Sequence, residues 1–149
     1  MANNWTFDGN ITANFFVGTA TAAQYSDLAE KYTADANYEP GTVVHFGGPE
    51  ELTQCNEDHC VQIAGVVSSN PGYLMNNKLV SSFVVELALM GRVPCKVTGI
   101  VRQGDMLVSA GNGRARAEHN PKMGAVIGKA LEDHTSEIHG FIEVVVGRL

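Results

Sequence analysis

The chain has 149 residues, 44% hydrophobic and 17% charged, the composition of a globular protein of about one domain. Ten basic residues against 16 acidic ones leave a net charge of −6, which supplies no basic footprint for nucleic acid. No apolar run reaches the ~20 residues that span a bilayer, since the longest, Phe83 to Met90, is broken by Glu86. Residues 1–10 carry neither the basic nor the apolar region of a secretion signal, so the expectation is synthesis in a cytoplasm with no membrane or nucleic-acid partner.

Residues 1–24 differ from everything after them. Trp5, Phe7, Ile11, Phe15, Phe16 and Val17 are scattered among Asn, Thr, Gly and Ala, and Asp8 is the one ionised side chain before Asp27. So short and apolar a segment cannot build its own core, and its aromatics need a surface to pack on. Asn and Thr interleaved with apolar residues suit thin extended strands better than a helix. Self-association is preferred over docking on the parent domain, and the six apolar residues are the candidate oligomer contacts.

YSDLAEKY, residues 25–32, is an isolated charged stretch. Ser26 as a cap, with Leu28 and Tyr32 four apart on an inward face and Asp27 and Lys31 paired outside, predicts a short helical turn. The same stretch places Ser26, Asp27 and Glu30 within five residues. Two carboxylates beside a hydroxyl can cut a backbone when one is held protonated and the other activates the nucleophile. On the residues alone, the cap-and-surface reading is preferred.

From Pro40 onward the pattern is of strands separated by glycine turns. EPGTVVHFGG, CVQIAGVVSSNPG, FVVELALMGRVPCKVTGIV, RQGDMLVSAGN, MGAVIGKALED and FIEVVVGRL are rich in β-branched residues bounded by Gly, Pro and Asn. A weak echo relates PGTVV at 40–44 to QGDMLV at 103–108, and AGVV at 64–67 to GAVI at 124–127. The chain is read as residues 1–24 an extended oligomerisation stub, 25–39 a junction and 40–149 the β domain. The fold class is mainly β: an antiparallel β domain with an extended N-terminal trimerisation stub and at most one or two short helices.

Three cysteines, an odd number, argue against a disulfide framework. CNEDHC offers Cys55, His59 and Cys60 as metal ligands, but the spacing matches no common zinc site and lacks a fourth ligand, so a polar loop between strands is expected and no metal. SAGNGRARAEH contains a G-x-G but no phosphate-loop lysine and no dinucleotide spacing, and is read as a flexible loop. Arg114 and Arg116 alternate onto one face, towards a neighbouring subunit or water. Cys95 is read as a small buried hydrophobe. No cofactor is expected.

ATAAQYSDLAEKYTADANYEPGTVVHFGG, then VQIAGVVSSNP, GRVPCKVTG, QGDMLVS, GAVIGKALED and IEVVVGR resemble, in order, a family of bacteriophage structural proteins. The elements YSDLAEKY and GVVSSNP further resemble the intramolecular-chaperone autoprocessing domain, glutamic-peptidase-like, that ends phage fibres, tailspikes and neck appendages. That resemblance implies a virion component made in the host cytoplasm, a homotrimer with other virion proteins as partners. It also implies Ser26, Asp27 and Glu30 as the positions where single-turnover self-cleavage would reside. Three functions follow: a structural virion protein that is no enzyme, which is preferred; a self-cleaving chaperone that registers a β-stalk; or a β domain that binds a small molecule or receptor.

Overall fold

A computed structural model of the chain describes residues 27–147 together with Asp8, Gly9 and Thr12. The six apolar candidates of the stub and Ser26 lie outside the described residues. Ten strands and no helix are found among the described residues: β1 (Asp27–Thr33), β2 (Val43–Phe46), β3 (Leu52–Gln54), β4 (Ile63–Val67), β5 (Tyr73–Met75), β6 (Val84–Val97), β7 (Met106–Gly111), β8 (Arg114–Ala117), β9 (Gly128–Ala130) and β10 (Gly140–Val146). The mainly β, largely antiparallel class therefore holds.

YSDLAEKY is where the local reading fails. Its described residues run as β1, antiparallel to β6 from Asp27 opposite Gly91 to Thr33 opposite Val84, with β5 parallel along its other edge. Sheet hydrogen bonds on both sides override the helical spacing of the charges, as tertiary context commonly does with short segments. Lys31 consequently does not pair with Asp27; its Nζ donates to the Asn77 carbonyl at 3.1 Å. The stretch around Asn112-Gly113 is likewise no flexible loop. Both residues have positive φ, 52° and 66°, which matches the two-residue turn that joins twisted hairpin strands, here β7 and β8.

The sheet closes on itself twice. In the first ring β1 pairs with β6, β6 with β4, β4 with β2, β2 with β3, and Leu52 of β3 returns to Ala34 just past β1 by a parallel bridge. In the second ring β6 pairs with β10, β10 with β9, β9 with β7, β7 with β8, and Ala115 of β8 returns to Val97 of β6 in parallel. The strand order is the same in both. The 14-residue β6 serves as the last strand of the first barrel and the first strand of the second.

The two rings are one unit repeated. A shift of 63 residues carries Gly41 onto Gly104, Gly65 onto Gly128 and the Ala34–Leu52 bridge onto the Val97–Ala115 pair. It also carries the hydrogen bond from Gly41 N–H to the Val67 carbonyl onto that from Gly104 N–H to the Ala130 carbonyl, both 2.8 Å. Gly41 and Gly104 have φ of 85° and 92°, so each opens its strand through a turn that favours glycine. For the closing strand the shift is 57, matching Glu86 with Glu143, because the segment before it is shorter in the second unit.

The cores follow the same rule. The first contains Ala34, Val44, Leu52, Val67, Val85 and Leu87; their counterparts Val97, Leu107, Ala115, Ala130, Ile142 and Val144 all belong to the second. Residues on the opposite faces of the first barrel's strands, Val43, Val66 and Ala88, pack into the second core and weld the barrels together. Full burial of such side chains contributes roughly 1.5–3 kcal/mol each for the larger ones.

Candidate functional site at the mouth of the first barrel

Successive side chains of β1 alternate between its faces. Tyr32 packs against the first core with Ala34, which places Glu30 on the same, inward face. Tyr32 Oη donates to Glu30 Oε2 at 2.9 Å, and its ring stands edge-on to Phe46 with centroids 6.0 Å apart. Glu51 lies close by, its Oε2 accepting from the Thr33 N–H at 2.8 Å and the Thr33 hydroxyl at 3.0 Å. Burial first, then the bond to Glu30 and the charges of Glu30 and Glu51, push the Tyr32 phenol up to about 12. It therefore stays a proton donor.

Asp27 belongs to the other face and to a different cavity. It is 5% exposed and lines a polar cleft of about 420 Å³ with Ser69, Asn70, Arg92, Pro94 and Glu143. Among the described residues its Oδ2 has no hydrogen-bond partner although buried, and neither has the hydroxyl oxygen of Ser68. Burial pushes the Asp27 carboxyl above the usual carboxylate range, with the neighbouring Ser68 hydroxyl opposing. Burial disfavours the charged form of a carboxyl in such a place and so favours its holding a proton to higher pH than a solvated one.

The structure thus separates two of the three residues singled out at YSDLAEKY. Asp27 and Glu30 share a strand but face opposite sides, and the third, Ser26, is outside the described residues. Arg92, Glu143 and Glu51 were missed by the sequence reading, because each comes to the site from a strand or turn remote in the chain. Their one local signal was the alternation of polar with apolar residues in β6 and β10.

CNEDHC connects β3 to β4 and plugs the second barrel. Cys55 and Cys60 are both buried in that core. Ser109 accepts the His59 N–H through its carbonyl at 2.8 Å and the Cys60 N–H through its hydroxyl at 2.9 Å. The Arg116 guanidinium grips Asp58 through two bonds, 2.6 and 3.0 Å, and reaches Glu118 at 3.0 Å. Arg116 is thus engaged within its own chain. His59 Nε2 accepts the Lys122 N–H at 3.0 Å. Among the described residues no three or more His, Cys, Asp or Glu side chains are grouped to hold a metal ion. Cys95 is fully buried, its thiol pushed up to about 12 by that burial.

A second, apolar groove of about 670 Å³ lies where the barrels meet. Ile63 and Ala64 face their own counterparts, Val126 and Ile127, and Leu89 faces Val146, so the groove is lined by both units in the same way. Met123, 97% exposed, stands at its rim.

Fold and site together define a tandem pair of five-stranded β barrels with a strand in common and an acidic mouth on the first. No family profile matches the chain, and no curated protein matches it. Among solved structures, the chain is similar to the crystal structure of the pre-mature bacteriophage phi29 gene product 12. The TM-score is 0.61 at 16% identity, over 94% of this chain and 23% of that one. The chain spans about a quarter of the length of that protein, and at this identity the likeness is one of fold.

Proposed function

We propose that the protein is a structural component of a bacteriophage virion, part of a fibre, spike, neck or capsid decoration, assembled as a homotrimer through residues 1–24. The observation that carries this reading is the likeness of fold to a bacteriophage protein over 94% of the chain. The apolar, charge-poor composition of residues 1–24 supports a segment whose aromatics are covered by copies of itself. Light scattering of the purified chain is expected to give three times the monomer mass. Deleting residues 1–24 is expected to release monomers with an unchanged melting temperature; a full-length monomer at micromolar concentration refutes the reading.

A self-processing chaperone domain is the second reading, favoured by the buried Asp27 at the start of β1, whose carboxyl burial pushes above the usual range. In it the chain is cut near Ser26, with Asp27 and Glu30 as acid and base. Their positions on opposite faces of β1 mean that they act from two sides of the strand rather than as a converging pair. Intact-mass spectrometry decides: a purified chain lacking about 25 residues supports cutting, and a full-length one excludes it.

A further inference from the structure

We propose that Tyr32 is a positioning residue that holds Glu30 as the reactive carboxylate of the first barrel, at a point where the barrel fold calls for an apolar side chain. What the carboxylate acts on rests on the self-processing reading above; its placement rests on the internal repeat alone. The second barrel is a built-in control. The counterpart of Glu30 is Val93, 1% exposed and part of the second core. The counterpart of Tyr32 is Cys95, that of Phe46 is Ser109, and both are fully buried.

The first barrel therefore differs from its twin at three neighbouring positions, and the three replacements touch one another. The phenol donates to the carboxylate at 2.9 Å, and Phe46 holds the phenol ring edge-on. Taking a carboxylate out of water costs stability unless it is paired, whereas a valine in the same place adds to the core. A barrel selected only to fold has no reason to prefer glutamate here. Burial, then the bond to Glu30 and the charges of Glu30 and Glu51, keep the phenol protonated, so the hydrogen bond runs from tyrosine to glutamate. One carboxylate oxygen is fixed in this way and the other is left to work.

The step it serves balances as a hydrolysis. Glu30 takes a proton from an attacking water as its oxygen bonds to the peptide carbonyl carbon. The C–N bond breaks, and the proton is returned to the departing amine, with one water consumed overall.

The test uses the full chain with Tyr32→Phe, Glu30→Val and the mirror variant Val93→Glu. Cutting is followed by intact mass from about pH 4 to about pH 9, and melting by calorimetry. Tyr32→Phe is expected to slow cutting roughly tenfold to a hundredfold and to shift its pH profile, with melting moved by no more than about 2 °C. Glu30→Val is expected to abolish cutting and raise the melting temperature, while Val93→Glu lowers it. The proposal is overturned if Tyr32→Phe cuts at the wild-type rate and pH, or if Glu30→Val melts lower than wild type. A wild-type chain that is never cut refutes the self-processing reading; the melting comparison judges the placement of Glu30 separately.

Discussion

The two barrels share strand order, turn glycines and hydrogen-bond register, yet their mouths are finished differently. The second is stopped by the CNEDHC loop, whose cysteines enter the core and whose backbone is pinned to Ser109. Among the described residues the first has no such plug and presents Glu30, Tyr32, Phe46 and Glu51 instead. A duplicated fold leaves one copy free to depart from the apolar pattern that the other keeps. Polar residues at interior positions of the first barrel are the departures that the second barrel makes visible.

The comparison is sharpest in the cores. Leu52 is fully buried in the first, where the second has Ala115. If each barrel is packed to its own neighbours, Leu52→Ala costs about 2–5 kcal/mol in urea unfolding even though alanine serves in the twin. A cost near zero would break the comparison, since it would mean that the first core does not depend on the larger side chain.

Asp27 gives the next effect. Its carboxyl, raised above the ordinary 3.8 by burial, favours the folded state while protonated. That contribution is complete below the unfolded value and is lost as pH rises through the folded one. Asp27→Asn is therefore expected to be more stable than wild type at neutral pH by roughly 1–3 kcal/mol, and to lose the wild type's decline as pH rises from acid. Denaturant titrations at a series of pH values check both, and an Asn variant less stable at neutral pH would show that the ionised form has a partner.

The smallest effect is spectroscopic. Tyr32, pushed up to about 12 partly by Glu30, should titrate closer to the ordinary 10 in Glu30→Gln. Carbon-13 NMR of labelled tyrosine reads this directly. No movement would mean that burial alone sets the phenol and that the 2.9 Å bond contributes nothing.

Much of the fold was legible because β-branched runs and glycine turns are local signals. The echo between PGTVV and QGDMLV falls in the register the structure uses, Gly41 on Gly104. The second echo was off by three residues: Gly65 matches Gly128 rather than Ala125, because apolar letters alone do not identify which glycine lies across from which strand. YSDLAEKY was misread since charges four apart look the same on a helix and on a strand held from both sides. The candidate site was legible only in part. Asp27 and Glu30 could be named, but their opposite faces follow from β1, and the significance of Glu30 follows from Val93, a residue whose equivalence no short window reveals.

The shared strand β6 has a consequence for how such a protein can change over time. Val85, Leu87 and Leu89 pack with the first core and Val93, Cys95 and Val97 belong to the second, on a single strand whose register against β1 slips by one residue at Leu89. Substitutions along it are judged one site at a time. Adding or deleting one residue just past Gly91, where β6 pairs with β10 without a shift, would instead turn every later side chain to the opposite face, emptying the second core while leaving the first intact. Past the slip at Leu89 the strand therefore behaves like a reading frame: it can absorb changes of letter but not of length, and the one extra residue it carries sits where the two barrels meet.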